Sequence, residues 1–311
     1  MQTFLVTGGA GFIGSHIAAR LVERGDQVRV LDNLNTGHLS NMEAFRERID
    51  FIEADLRDGD AVRQAVEGVD CIFHQAALAS VPLSVKRPLD TNSACVTGTL
   101  TLLDAARQAG VRRLVYAASS SAYGDRPTSS KRETDLPMPI SPYGVAKLAA
   151  EYYCQAFTAS YGFETVALRY FNVFGPRQDP DSAYSAVIPL FITAMLQGRQ
   201  PVIHGDGGQS RDFTFVGNIV DANLLAAEAP GVAGHVLNVA NGRSTDLLEL
   251  IDVLNELLGT DVQPAHEAPR TGDVRESLAD ITKARQLLGY EPKVGFEEGL
   301  RRSIDYYRSI V

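Results

Sequence analysis

Residues 3–15, TFLVTGGAGFIGS, pass from a β-branched apolar run through clustered glycines into a helical pattern. Glycine has no Cβ, so it lets the backbone close on a bound group. A helix N-terminus just beyond adds unpaired N–H groups and a positive dipole end. A chain that opens this way is committed to a strand–turn–helix unit, and a pyrophosphate is the ligand such a turn fits. Gly9, Gly11 and Gly14 satisfy G-x-G-x-x-G, while Gly8, Gly11 and Gly14 satisfy G-x-x-G-x-x-G. Phe4–Val6 reads as the strand, and FIGSHIAARLVERG as the helix, stopping at Gly25. The bland alternative is a glycine turn in an ordinary βαβ unit. Against it, QVRVLD ends in Asp32, about twenty residues further on, where a carboxylate accepts hydrogen bonds from an adenosine ribose. A carboxylate repels a 2′-phosphate, and Asn33, Asn35 and Thr36 follow with no Arg or Lys to pair one. NAD, not NADP, is the expected cofactor.

The rest of the first half alternates strand and helix. FIEAD (51–55), VDCIFHQAA (69–77), RRLVYAASS and ETVALRYF read as strands, with helices near DAVRQAVEG and over 93–109 and 142–161. Repeated βα units with apolar strands predict an α/β fold, a Rossmann-type doubly wound parallel sheet. Ligands in such sheets sit beyond the carboxyl ends of the strands. After about residue 172 proline and glycine become frequent (FGPRQDP, GRQPVIHGDGGQ) and helices shorten. We therefore expect a nucleotide-binding domain over 1–172 and a smaller, discontinuous α/β lobe over 173–311, with HVLNVA (235–240) rejoining the sheet as a strand.

Composition excludes other classes. In a chain of 311 residues with a formal net charge of −9, a nucleic-acid or anionic-membrane surface is not expected. No stretch approaches the roughly 18 apolar residues that span a bilayer. The start shows no basic n-region or cleavage site. The three cysteines Cys71, Cys95 and Cys154 are scattered, as suits buried thiols in the cytoplasm. The six histidines form no HxxxH pair, and no GxSxG elbow occurs, so neither a metal site nor serine-hydrolase chemistry is expected.

Ser141-Pro142-Tyr143-Gly144-Val145-Ala146-Lys147 carries the chemistry. Serine then proline suits an N-cap and first helical position, which puts Tyr143 and Lys147 one turn apart on one face. A phenol with a reference pKa of about 10 is a poor base at neutral pH, and a nearby ammonium favours its ionised form. A surface lysine beside a half-buried tyrosine is the plainer reading of Y-x-x-x-K alone. The strand end Ser119-Ser120-Ser121 upstream changes the odds, because its first hydroxyl can bridge a substrate oxygen and Tyr143.

Taken in order, TGGAGFIGSH, HQAALASVPLSV, SSSAYGD, SPYGVAK, LRYFNVFGPRQ, GDGGQSRDFTFV and RTGDVRES make the chain resemble the extended short-chain dehydrogenase/reductases that act on nucleotide sugars. Among these it is most similar to the UDP-hexose 4-epimerases. The resemblance implies that Ser119, Tyr143 and Lys147 are catalytic. It assigns NAD contacts to Gly8, Gly11, Phe12, Ile13, Gly14, Asp32, Asn33, Asn35, Thr36, Gly37, Asp55, Leu56, Gln75, Ala76, Ala77, Tyr143, Lys147 and Tyr170. Related dehydratases and decarboxylases place acids where Ser120 and Ser121 stand, so the resemblance implies oxidation and reduction at one carbon without elimination. Asn172, Arg211 and Arg270 are implied contacts to the diphosphate or ribose, and Asp273 to the uridine ribose. The plainer readings are an Arg211–Asp212 ion pair and an exposed Arg270–Asp273 pair. Val187 and Phe191 line a uracil pocket or simply the core. At Ser277, where a bulky family residue crowds the sugar's 2-substituent, a serine leaves room for an N-acetyl group. UDP-glucuronate 4-epimerase is the nearest rival activity, and a nucleotide-sugar decarboxylase or dehydratase a more distant one. Apolar residues on the 93–109 and 142–161 helices (Leu100, Leu103, Leu148, Tyr152, Phe157) and the resemblance together imply a homodimer, or else packing within the monomer.

Overall fold

The computed structural model describes residues 2–126, 130–180, 186–268 and 275–311. Seven parallel strands form its central sheet: β1 (Thr3–Thr7), β2 (Gln27–Asp32), β3 (Asp50–Glu53), β4 (Cys71–His74), β5 (Arg113–Ser119), β6 (Glu164–Tyr170) and β7 (Val236–Val239). Their order is β7-β6-β5-β4-β1-β2-β3. The direction of winding reverses between β1 and β4, and a crevice opens beyond the carboxyl ends at that point. All residues of β4 and β5 are buried, as parallel strands covered on both faces require.

Strand alternation divides the core in two. Phe4 and Val6 pack with Phe73, Val115, Ile17 and Leu21 on one face. Leu5 packs with Ile72, Leu114, Leu102, Leu103 and Phe157 on the other. Leu103 and Phe157 are therefore core residues of the monomer, a correction to their expected place on an outer face. The helix Pro142–Tyr161 begins where capping chemistry predicts. Ser141 Oγ accepts the Gly144 N–H at 3.1 Å, Pro142 fills the first position, and Gly162 ends the helix at φ +69°.

The 93–109 segment differs from the single regular helix expected. A π-helical turn at Ser93–Thr97 precedes the α-helix Gly98–Gln108. Two short helices, Val81–Lys86 and Pro88–Asn92, come before it. Just after that turn, Thr99 Oγ1 donates to the Cys95 carbonyl at 2.6 Å and also meets His74 Nε2 at 2.8 Å. Helical periodicity cannot foresee such a tertiary partner.

β7 lies beside β6 in parallel register, Val236 with Ala167 through Val239 with Tyr170. Beyond β6 the chain also builds a smaller lobe with its own core. There Phe174 meets Phe213, Phe215 and Phe296 at centroid distances of 6.4, 5.8 and 5.9 Å, with Phe191, Leu250 and Leu300 packed around them. A three-stranded sheet sets Ser210–Arg211 between Thr245–Asp246 and Glu276–Ser277.

Candidate active site

The glycine turn closes in the G-x-x-G-x-x-G frame. Gly8 has φ +68°, and a Cβ on it would fall 2.7 Å from the Ala76 backbone. A Cβ on Gly14 would fall 2.1 Å from the Gly8 carbonyl, so the helix after the turn can seat only on glycine. That helix, Phe12–Glu23, starts at Gly11 with no side-chain cap. The first-turn N–H groups, those of Phe12 and Ile13 among them, are of the kind that binds an anion. This uncapped terminus beneath a Cβ-free turn fits the diphosphate of NAD.

Asp32 is buried at the end of β2, where its carboxylate accepts N–H bonds from Ala10 (2.9 Å) and Leu34 (2.8 Å). Burial raises its pKa, and these two bonds pull the other way. It thus ties the glycine turn to the segment holding Asn33, Asn35, Thr36 and Gly37. Gly37 is buried so tightly against Ala10 that a Cβ there would lie 2.9 Å from the Ala10 Cβ. Asn33 Nδ2 donates to Asp55 at 2.7 Å. The Arg57 guanidinium adds two more bonds and its backbone N–H a third, and the guanidinium holds the Asp55 carboxyl well below the usual range. Leu56 is buried beside it. Gln75 begins the turn after β4 and shares hydrogen bonds with the Tyr170 hydroxyl (3.2 Å) and Asn223 (3.3 Å). The polar ends of Gln75 and Tyr170 are thus turned on each other. Ala76 continues that turn against Gly8, with the half-buried Ala77 next in the chain.

Ser119 ends β5, and its Oγ accepts the Ser121 N–H at 3.1 Å. Ser120 and Ser121 form a single 3₁₀ turn. The helix carrying Tyr143 docks against this turn, and a Cβ on Gly144 would come within 2.7 Å of the Ser121 carbonyl. Ser119, Tyr143 and Lys147 therefore converge from two elements. Lys147 is not on the surface. It is 4 % exposed, its Nζ lies 4.7 Å from the Tyr116 ring centroid, and burial lowers its pKa. Burial raises the pKa of Tyr143, helped by the nearby Cys95, while the facing Ser119 hydroxyl acts to lower it. This differs from the expected ammonium-driven depression, because the Lys147 charge sits over Tyr116 and desolvation is the larger influence.

A cleft of about 280 Å³ in the smaller lobe brings Asn172, Val187, Phe191 and Arg211 together. It starts two residues past Tyr170, which is opposite Ser119 in the β5–β6 register. Asn172 holds φ +29°, a conformation uncommon outside glycine and often found at ligand sites. Arg211 is in register with Ser277 on one side and Thr245 on the other. Phe191 belongs to the lobe's core as well as lining the cleft. Asp212 does not turn to Arg211. It is fully buried, accepts the Asn241 and Gly242 N–H groups at 2.9 and 3.0 Å, and burial raises its pKa to about 7. Arg270 and Asp273 lie outside the described residues. Among the described residues no group of three or more potential ligands could hold a metal, no helix is long and apolar enough to cross a membrane, and Cys71, Cys95 and Cys154 are free and buried.

Sequence reasoning missed the supports. His74 is buried between Thr7 Oγ1 (2.7 Å) and Thr99 Oγ1 (2.8 Å), with its pKa lowered to about 3 by burial and Lys147. Glu151, one turn beyond Lys147, binds Arg169 of β6. A carboxylate on the apolar face of a helix was the available signal.

Comparison with known proteins agrees with this geometry. Residues 4–240 match the NAD dependent epimerase/dehydratase family. The UDP-glucose 4-epimerase of Mycolicibacterium smegmatis is 38% identical over 310 residues, covering 98% of each chain. A solved UDP-N-acetylglucosamine 4-epimerase from Methanobrevibacter ruminantium M1, in complex with UDP-N-acetylmuramic acid, superposes with a TM-score of 0.95 at 40% identity, covering 100% of this chain and 99% of that one. A UDP-glucuronic acid 4-epimerase from Bacillus cereus, in complex with UDP-glucuronic acid and NAD, gives 0.93 at 30% identity, covering 99% and 100%. This chain is a member of the NAD-dependent epimerase/dehydratase family.

Proposed function

We propose that the protein is a UDP-hexose 4-epimerase that interconverts UDP-glucose with UDP-galactose and UDP-N-acetylglucosamine with UDP-N-acetylgalactosamine. The observation that carries this reading is the Ser119–Tyr143–Lys147 group, with Ser119 and Lys147 buried and Tyr143 half-buried, beside Ser120 and Ser121, a site of hydroxyls and one ammonium. Eliminating water or carbon dioxide calls for further acid–base groups, and neither Ser120 nor Ser121 supplies one. In this reading residues 1–172 with β7 hold the cofactor and 173–311 mainly hold the UDP-sugar.

Gly8–Gly14, Asp32, Asn33, Asp55 and the Gln75–Ala77 turn would hold NAD, which when bound supplies reversible two-electron oxidation at one carbon. Tyr143, relayed by Ser119, takes the proton of the sugar 4-hydroxyl and later returns it to the same oxygen once the ring presents its opposite face. Lys147 would hold the nicotinamide ribose, while the facing Ser119 hydroxyl acts to lower the Tyr143 pKa. Between the two proton transfers the 4-keto sugar must turn over, so the nucleotide needs a separate anchor. Arg211 and Asn172 provide it through the diphosphate, in a lobe that the catalytic hydroxyls do not occupy. Arginine suits this role because its planar fork makes charge-assisted, bidentate bonds to phosphate. Ser277, in register with Arg211, leaves space for an N-acetyl group.

The protein works as a cytoplasmic homodimer in this reading. Support comes from the outward face of the 142–161 helix, where Val145 and Tyr152 are 53 % and 50 % exposed, near Val85 and Leu89 at 64 % and 83 %. Apolar side chains left this open mark an association surface.

Purified protein without added NAD, given UDP-galactose, UDP-N-acetylgalactosamine and UDP-glucuronate and followed by proton NMR, tests the assignment. The 4-epimers of the first two are expected. The similarity to the UDP-glucuronic acid 4-epimerase structure favours a second reading, and turnover of the glucuronate alone would select it. Released carbon dioxide would overturn both.

A further inference from the structure

Ser119 ends a strand while Tyr143 and Lys147 ride on a helix, so their alignment depends on what locks that helix to the sheet. We propose that the buried Glu151–Arg169 ion pair is the lock, and that the two are positioning residues for the catalytic hydroxyls. This inference rests on the functional reading above. Tyr143, Lys147 and Glu151 follow one another at intervals of four residues along one helix, so a fixed Glu151 fixes the other two in height and rotation.

The pair is bidentate, with Arg169 Nε to Glu151 Oε2 at 2.8 Å and Nη2 to Oε1 at 2.7 Å. Glu151 is 1 % and Arg169 2 % exposed. Arg169 sits opposite Ala118 in the β5–β6 register, and the next pair is Tyr170 with Ser119. One end of the fork is therefore on the catalytic helix and the other is beside the strand residue that precedes Ser119. The guanidinium also lies 4.5 Å from the Tyr123 ring centroid, just beyond the 120–122 turn. Tyr123 in turn donates to Asn238 of β7 at 2.7 Å, and Asn238 is the register partner of Arg169.

Stability alone does not account for this arrangement. Desolvating two charges offsets much of their attraction, and apolar residues of similar volume serve a core as well or better. The helix already packs through Ala150, Cys154 and Phe157. Such apolar contacts are non-directional and permit small slides and rotations, whereas a planar two-bond fork does not. What the pair adds is register between the Ser119 hydroxyl and the Tyr143 phenol.

The test replaces the pair as a unit with Glu151→Leu/Arg169→Met, which removes both charges and keeps the volume. Melting temperature, bound NAD, and kcat and KM for UDP-galactose are measured beside the wild type. We expect retained folding, NAD content and KM, with kcat lower by about tenfold or more, since displacements near 1 Å at reacting groups have effects of this order. A folded double variant with wild-type kcat overturns the proposal and leaves the pair a purely structural element. If the double variant does not fold, Arg169→Lys decides instead, because it keeps the charge and loses the fork. Lowered kcat at unchanged KM then supports positioning, and unchanged kcat overturns it. Wild-type protein that turns over no UDP-sugar overturns the functional reading and the proposal with it. Wild-type turnover matched by the variants overturns the proposal alone.

Discussion

The sheet end that carries Ser119, Tyr143 and Lys147 and the cleft that holds Arg211 are built in different ways. The first rests on long elements, a seven-residue strand and a twenty-residue helix, docked with no room for a Cβ at Gly144. The second rests on strands of two residues. These short strands are joined to the sheet through the buried Asp212 carboxylate and the Asn241–Gly242 backbone. Reaction geometry calls for the rigidity of the first. In the proposed reading the second accepts one nucleotide with its sugar in either orientation, which calls for anchoring at a distance, as short strands and loops provide.

That contrast predicts separable effects. Tyr143→Phe should lower kcat by about 10²–10⁴-fold, the usual value of a positioned proton-transfer group. Bound NAD should remain, as read by absorbance of the denatured supernatant. Substantial retained turnover would remove Tyr143 from the chemistry and break the comparison at its rigid end. Arg211→Ala should act mainly on KM, raising it by about 10–100-fold, the value of one or two charge-assisted hydrogen bonds. Calorimetric titration with UDP alone should show the same loss, and a fall in kcat without one would place Arg211 at the reacting centre. Ser277→Tyr should lower kcat/KM for the N-acetylated pair relative to the plain pair by about tenfold or less. An unchanged ratio would detach Ser277 from sugar recognition.

A fourth effect concerns pH. Burial raises the Asp212 pKa from its unfolded value to about 7. The protonated form is thus favoured in the folded protein, and the stability it contributes is full below about pH 4 and lost as pH rises through 7. The melting temperature of Asp212→Asn should accordingly vary less than that of the wild type between pH 4 and 7.5. Equal pH dependence in the two proteins would show that Asp212 titrates elsewhere.

Legibility in the sequence followed the same division. Glycines at fixed spacing, an acid at the end of the next strand, and Ser-Pro before a helix each have local causes, so Gly8–Gly14, Asp32 and Ser141–Lys147 could be read directly. The helix Pro142–Tyr161 was delimited by its own caps. In the cleft only single residues were readable, because strands of two residues show no periodicity. Beside the π turn at Ser93–Thr97, Thr99 meets His74, a contact between distant segments that no local pattern shows. Leu103 and Phe157 stood between a dimer face and the monomer core, because period alone cannot tell which of two faces a neighbour will cover.

What the sequence by itself determined is the type of fold, the dinucleotide turn and the identity of the chemical groups, since these follow from backbone sterics, hydrophobic period and side-chain chemistry over short distances. Only the tertiary structure decided how those groups are tuned and held. The Lys147 ammonium lies over Tyr116, burial raises the Tyr143 pKa, Asp212 faces backbone N–H groups and not Arg211, and Glu151 meets Arg169 across the helix–sheet interface. Each of these depends on desolvation and on partners far apart in the chain, and neither is set until the core has closed.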